Sequence, residues 1–111
     1  MSVQGGKLSI CIPTFERSSF LDYLLKKIYE EDYKLEFPFE IIISDNASND
    51  DTQLIVEKWQ TSLNIKYFRQ TKNIGAIGNY NFVINKASGE FSLYLADDDL
   101  IDFSSLNSCI F

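Results

Sequence analysis

Three aspartates stand in a row, Asp97-Asp98-Asp99, directly behind an apolar run from Phe91 to Ala96. Carboxylates this crowded repel one another. At roughly 4 Å and an effective dielectric of ~20, each contact costs on the order of 4 kcal/mol. Either the charges are solvated, in a turn or as the N-cap of a helix that follows, or a cation binds them. The end of a buried strand favours the cation. Mg2+ and Mn2+ take hard oxygen ligands, and Mg2+ is typically held by one or two carboxylates completed by substrate phosphates. A metal-diphosphate is therefore the ligand this cluster predicts.

The chain contains no histidine. That removes Ser-His-Asp and Cys-His triads, zinc sites built on histidine, and histidine as a general base. Acid-base or metal chemistry must run on Asp and Glu. No phosphate loop of the Gly-x-x-x-x-Gly-Lys type and no Gly-x-Gly-x-x-Gly is present, and residues 45–56 depart from a calcium loop at Ala47, Asp50 and Val56.

The elements that must position these groups alternate in type. Residues 7–12 read as a β-branched strand that Pro13 ends, because proline cannot donate to a ladder. Residues 18–31 read as a helix with Phe20, Leu21, Leu24, Leu25 and Ile28 on one face, and Ser19 with Asp22 resembles a capping box. Residues 39–44 form a second strand apolar enough to be buried on both faces. A polar loop, residues 45–51, ends in a helix N-cap signal for residues 52–60, which carry Leu54, Ile55 and Trp59 at helical spacing. A third strand spans 65–69. After a loop in which Gly75 supplies positive φ, residues 76–87 read as a helix with Ile77, Tyr80, Val83, Ile84 and Ala87 inward, stopped by Gly89. The fourth strand is 91–96.

The order β-α-β-α-β-α-β implies a three-layer α/β domain around a mostly parallel sheet with right-handed crossovers. In such sheets, ligands bind outside the carboxyl ends of the strands, where strand order reverses. Each of the four ends here is polar. Pro13, Thr14, Phe15, Glu16 and Arg17 follow the first strand; Asp45, Asn46, Asp50 and Asp51 the second; Lys72, Asn73 and Gly75 the third; the three aspartates the fourth. Asp45 is either an Asx-turn residue or an acceptor for an imide or ribose, and Glu16 is either a loop charge or a ligand contact. Asp50 and Asp51 read as helix caps. Arg69 and Lys72 are the nearby cations that could meet phosphate. Cys11 reads as a buried thiol suited to a reducing cytoplasm, and Trp59 as helix packing.

With 111 residues, 45% of them hydrophobic and 14% aromatic, the chain is sized for one folded domain over residues 1–111. A net charge of −6 argues against nucleic acid or an anionic membrane surface as a bulk partner. No apolar run approaches a membrane span, and Met1–Gly6 carry no apolar stretch of a secretory leader. Asn46-Ala47-Ser48 is formally a glycosylation sequon, unused without such a leader.

Four ordered motifs, Leu8 to Arg17, Ile43 to Thr52, Lys72 to Gly75 and Ala87 to Leu100, resemble the N-terminal half of glycosyltransferase family 2. The Ser44-Asp45-Asn46 and Asp97-Asp98-Asp99 variants look most like bacterial enzymes that build O-antigen or capsule polysaccharide. The resemblance implies a Rossmann-like half of a GT-A fold that binds a nucleotide-diphospho-sugar. Pro13, Thr14 and Glu16 match positions lining the nucleoside pocket, with Phe15, Asn73 and Gly75 on the same surface. Asp45 matches an aspartate that contacts the base. The cluster matches the motif that holds ribose and a metal-diphosphate, with Mn2+ or Mg2+ as cofactor. The first aspartate of the commonest form falls on Ala96, so Asp98 is the first metal ligand, Asp97 the ribose or metal neighbour, and Asp99 third.

The activity implied is metal-assisted glycosyl transfer to a glycan or lipid-linked acceptor, in the cytoplasm or at the inner membrane face. The family's catalytic base is expected beyond Phe111, which predicts a truncated chain that carries a donor site and does not turn over. Two other classes compete. A non-catalytic nucleotide-sugar-binding half-domain shares every feature above. A signalling receiver domain needs an acidic pair after the first strand and an aspartate after the third, where Pro13-Thr14 and Gln70-Thr71 stand. The apolar tail from Phe103 to Phe111 predicts self-association of the fragment.

Overall fold

The structure is a computed structural model and describes residues 8–99 and 102–110, with the side chains of 108–110 left aside. The expectations on Met1–Lys7, Leu100 and Phe111, and on the side chains of Cys109 and Ile110, lie outside the described residues. Four strands form one parallel sheet in the order β3-β2-β1-β4: β1 Leu8–Thr14, β2 Phe39–Asp45, β3 Ile65–Arg69 and β4 Phe91–Tyr94. Register pairs Ile10 with Ile41 and Leu93, and Ile41 with Ile65.

The helices sort onto two faces by the strands' two-residue period. Leu8, Ile10, Ile12, Ile41 and Ile43 meet Leu21, Leu24, Leu25 and Ile28 of α1 (Ser18–Glu31), Val56 of α2 (Thr52–Trp59) and Phe103 of α4 (Phe103–Ile110) in the larger core. On the opposite face, Cys11 and Ile42 meet Val83 of α3 (Gly75–Asn85). The three-layer α/β architecture is as expected.

Several local expectations are corrected. The first strand does not end at Pro13: β1 continues to Thr14, and Pro13 pairs with Ser44. Leu95 N–H donates to the Cys11 carbonyl on the β4 side, and Asn46 N–H donates to the Thr14 carbonyl on the β2 side. Pro13 has the parity of Cys11, so its missing donor faces the side where the β4 pairing has already stopped. The local capping box of α1 is absent. Asp50 reaches across instead, its carboxylate accepting from Ser18 N–H at 3.2 Å, while Asp22 receives Lys58 and Trp59 at 2.7 Å each. Phe20 and Leu54 are exposed, and α2 buries Thr52 and Val56. In α3, Ile77 and Tyr80 face outward, and the buried residues are Asn79 and Val83. Gly89 is not a helix stop. A Cβ there would lie 2.9 Å from the Ser9 backbone nitrogen, so glycine is required by close approach to β1.

The described part of the tail is covered at its first aromatic residue, while Phe91 and Tyr94 of β4 stand exposed. Phe103 is fully buried and packs on the Phe39 ring at 5.6 Å. Asn107 ties α4 to the connector, accepting from Glu36 N–H and donating to the Lys34 carbonyl. The predicted self-association surface thus loses its first aromatic residue to the core.

One buried carboxylate was not anticipated. Glu40, at the start of β2, is fully buried and accepts from Ser9 Oγ (2.6 Å), Ser88 N–H (2.9 Å) and Ser88 Oγ (2.8 Å). Its Oε1 has no hydrogen-bond partner of good geometry but faces Lys66 Nζ at 2.9 Å. Burial alone would raise its pKa; the Ser9, Lys66 and Ser88 groups outweigh burial and bring it to about 2. Burial, and secondarily the Glu40 charge, push the Cys11 thiol up to about 11, which makes it a protonated core residue as expected.

Candidate functional site

β1 lies between β2 and β4, so the sheet's order reverses at the β1–β4 seam. Chain ends diverge there and leave a crevice at the carboxyl edge. A cleft of about 650 Å3 opens at this place. Its wall carries Pro13 and Thr14 from β1, Phe15 and Arg17 from the turn behind it, Asn73 from the loop before α3, Gly75 from the start of α3, and Asp97 and Asp98 behind β4. Nine of the residues that the sequence places at strand ends, Pro13, Thr14, Phe15, Arg17, Asn46, Asn73, Gly75, Asp97 and Asp98, are therefore brought to one wall.

The three aspartates divide the work. Asp97 is 7% exposed and its Oδ2 accepts from Thr14 Oγ1 at 2.9 Å. Burial raises its pKa, against the Thr14 bond and the Arg17 charge, with Asp98 adding to the rise. Asp98 is half-exposed and meets Arg17 Nη1 at 3.2 Å; the same nitrogen lies 3.9 Å from Asp97. Asp99 turns away from the wall and accepts from Ala96 N–H at 3.1 Å, closing a turn. The turn reading holds, with Asp97 and Asp98 at the centre of a turn closed by Asp99 N–H on the Ala96 carbonyl, but Asp97 is buried in it and not solvated. The cap reading fails, because Asp102 caps α4 through Ser104 N–H and Ser105 Oγ.

Glu16 and Asp45 are also off the wall. Glu16 has φ 51°, and its N–H donates to Ser48 Oγ at 2.7 Å. Asp45 is buried behind the loop: Oδ1 accepts from Ser48 N–H at 3.0 Å and Oδ2 from the Tyr67 hydroxyl at 2.5 Å. Burial and the Asp45 bond push the Tyr67 pKa upward. Arg69 binds the Ser48 carbonyl at 2.8 Å, so it braces this loop instead of reaching the cleft, and Lys72 is exposed off the wall. Asp50 is a cap, as expected; Asp51 makes no side-chain cap bond.

The sequence placed Arg17 and Asn46 on this rim without a role, and Asn79 was not anticipated. Arg17, not Lys72 or Arg69, supplies the cation. Asn46 is buried and sews two loops together: its Oδ1 accepts from Ile74 N–H at 2.8 Å, and its amide donates to Asn73 Oδ1 at 3.0 Å and the Gly75 carbonyl at 3.3 Å. Gly75 has φ 83°, the positive φ expected of this turn. Asn79 bonds both the Ser44 hydroxyl (2.6 Å) and carbonyl (3.0 Å). A signal for Asn79 was present, since it stands one helical turn before Val83 on the face that packs on the sheet.

The model of glycosyl transferase family 2 matches residues 9–110. The chain belongs to that family. A Campylobacter jejuni GalNAc(5)-diNAcBac-PP-undecaprenol beta-1,3-glucosyltransferase is 43% identical over 95 residues, covering 84% of this chain and 30% of the relative. Abequosyltransferase RfbV of Salmonella typhimurium is 35% identical over 89% of this chain and 30% of its own length. A crystal structure of Staphylococcus aureus TarS residues 1–349 in complex with UDP-GlcNAc superposes with a TM-score of 0.78 at 31% identity, over 93% of this chain and 30% of that one. The fold is thus that of part of a GT-A glycosyltransferase, and the chain spans less than a third of the length of these relatives. The receiver-domain alternative falls with this assignment. Among the described residues, no helix is long and apolar enough to cross a membrane.

Among the described residues, no group of three or more acidic or thiol ligands converges as a preformed metal cage. Asp97 and Asp98 do converge, and two carboxylates are the donor set that leaves room for phosphate oxygens on the same ion. The residues present fit Mg2+ or Mn2+ in that mode.

Proposed function

We propose that this chain is the donor-binding part of a bacterial glycosyltransferase, one that takes a nucleotide-diphospho-sugar with Mn2+ or Mg2+ and serves cell-surface polysaccharide synthesis in the cytoplasm or at the inner membrane face. The observation that carries this reading is the pairing of Asp97 and Asp98 at the β1–β4 seam, on the wall of a cleft sized for a nucleotide. The names of the relatives support the reaction class, and the UDP-GlcNAc complex of TarS supports the ligand class.

Asp98 and Asp97 would hold the cation, and Thr14 fixes the Asp97 carboxylate through its Oδ2. A bound divalent ion supplies Lewis-acid neutralisation of charge on a departing diphosphate. Pro13, Phe15, Asn73 and Gly75 shape the wall against which the nucleoside lies, and Asp45 and Tyr67 hold its loop from behind. The acceptor is a glycan or a lipid-linked glycan, whose hydroxyl requires a carboxylate base.

Calorimetric titration of UDP, GDP and CDP with and without Mn2+ tests this. Metal-dependent binding of one of them, lost in Asp98→Ala, is the expected result. Failure of all three to bind in the presence of Mn2+ would overturn the reading and leave a scaffold half-domain. Binding without transfer of labelled sugar by these 111 residues is expected; incorporation into an acceptor would show that they carry their own base.

A further inference from the structure

Arg17 is the single cationic side chain on the described cleft wall, and it sits against the two carboxylates assigned to the metal. Its position is built. Glu16 adopts φ 51°, in the left-handed region that a non-glycine residue occupies only when held there, and the Ser48 hydroxyl holds it through the Glu16 N–H. That turn delivers Arg17 to the N-terminus of α1, with its guanidinium 5.4 Å from the Phe20 ring centroid. Ser48 itself is fixed by Asp45 and Arg69.

The pairing has a cost for any other cation. Asp97 has one oxygen on Thr14 and the other near Arg17, so an incoming ion meets a carboxylate already partnered. The same guanidinium contacts the aspartates through Nη1 only, which leaves its fork with donors for a phosphate oxygen. We propose that Arg17 is a resident counterion of the Asp97–Asp98 pair, one that competes with the divalent ion for these carboxylates and supplies fixed positive charge to a diphosphate. This inference rests on the donor-site reading above.

Its signature is two effects of opposite sign from one substitution. In the full 111-residue chain without nucleotide, Arg17→Gln should bind Mn2+ roughly threefold to tenfold more tightly than wild type, a range set by the half-exposed Arg17–Asp98 pair. With saturating Mn2+, the same variant should bind the preferred nucleoside diphosphate about tenfold more weakly, the order expected for a lost charge-assisted bond. Mn2+ affinity is read by electron paramagnetic resonance and diphosphate affinity by calorimetry. Arg17→Met, which keeps an unbranched apolar side chain beside Phe20, repeats both arms if the glutamine variant does not fold. Weakening of both ligands would reduce Arg17 to a structural support, and no change in either would make it a bystander; each result overturns the proposal. Wild type that binds no diphosphate with Mn2+ overturns the donor-site reading, a failure visible before any variant is made.

Discussion

Glu40→Gln tests whether a buried carboxylate far from the cleft holds the sheet together. In the native chain this carboxyl is held near 2 against an ordinary 4.5. At about 1.4 kcal/mol per pH unit, that gap corresponds to about 3 kcal/mol of stability. The sign follows from the depression. The contribution is fully present above the unfolded value near 4.5 and is lost as pH falls through it toward 2. The amide keeps the shape and one acceptor for Ser88 and Ser9, but it cannot pair with Lys66, whose side chain is 46% exposed and remains hydrated. A loss of about 2–4 kcal/mol at pH 7 is expected, overlapping the lower part of the range for breaking a buried pair, as befits a partner that is half-exposed.

Urea unfolding of wild type and variant from pH 7 to pH 2 provides the assay. The two stabilities should converge as pH falls, because acid removes from wild type what the substitution has already removed. The difference isolates Glu40 from the other acids with lowered pKa, Asp22, Asp50 and Asp102, which titrate in both proteins. Glu40 lies at the opposite end of β2 from Asp45, about 16 Å away at strand rise, so diphosphate affinity of the folded variant should match wild type. Equal stability at pH 7, or an unchanged gap at pH 3, would refute the assignment of that energy to Glu40.

Two further substitutions probe the same logic elsewhere. Asp97→Asn should leave thermal stability at pH 7 unchanged or higher, because burial raises the Asp97 pKa and its charged form subtracts stability until pH falls through the folded value; Mn2+-dependent diphosphate binding by calorimetry should fall tenfold or more, and a large loss of stability with binding intact would reverse both roles. Gly89→Ala forces a Cβ to 2.9 Å from Ser9 N and Oγ, which should cost about 1–3 kcal/mol by urea unfolding; because Ser9 Oγ is bonded to Glu40, the cost should shrink in the Glu40→Gln background, and strict additivity would count against that coupling.

What the sequence disclosed followed from periodicity and turn chemistry. Leu21, Leu24, Leu25 and Ile28 had to share a face, and Gly75 had to supply positive φ; both are observed. What it concealed depends on contacts between residues far apart in the chain. Ile77 and Leu54 fit an apolar stripe as well as their neighbours did, yet they face outward, since only the sheet decides which side of a short helix is covered. Pro13 reads as a strand terminator until the early end of β4 removes the bond it would have broken. Arg17 reads as one more loop charge until a left-handed Glu16 and the β1–β4 seam bring it to aspartates about eighty residues away.

Two buried carboxylates of this sheet are compensated unequally. Glu40 and Asp97 are the same chemical group, both buried, one at the start of β2 and the other behind the end of β4, with β1 between those strands. Around Glu40 the chain supplies two hydroxyls, a backbone N–H and an ammonium, and the carboxylate is stabilised below its ordinary range. Around Asp97 it supplies one hydroxyl, a guanidinium at 3.9 Å and a second carboxylate, and the pKa goes up. The fold stabilises the charged form of Glu40 and leaves that of Asp97 short of compensating positive charge at the sheet's carboxyl edge. That deficit is what a divalent ion with its diphosphate would fill, and it separates Asp97 from Asp99, whose carboxylate the backbone of its own turn already occupies.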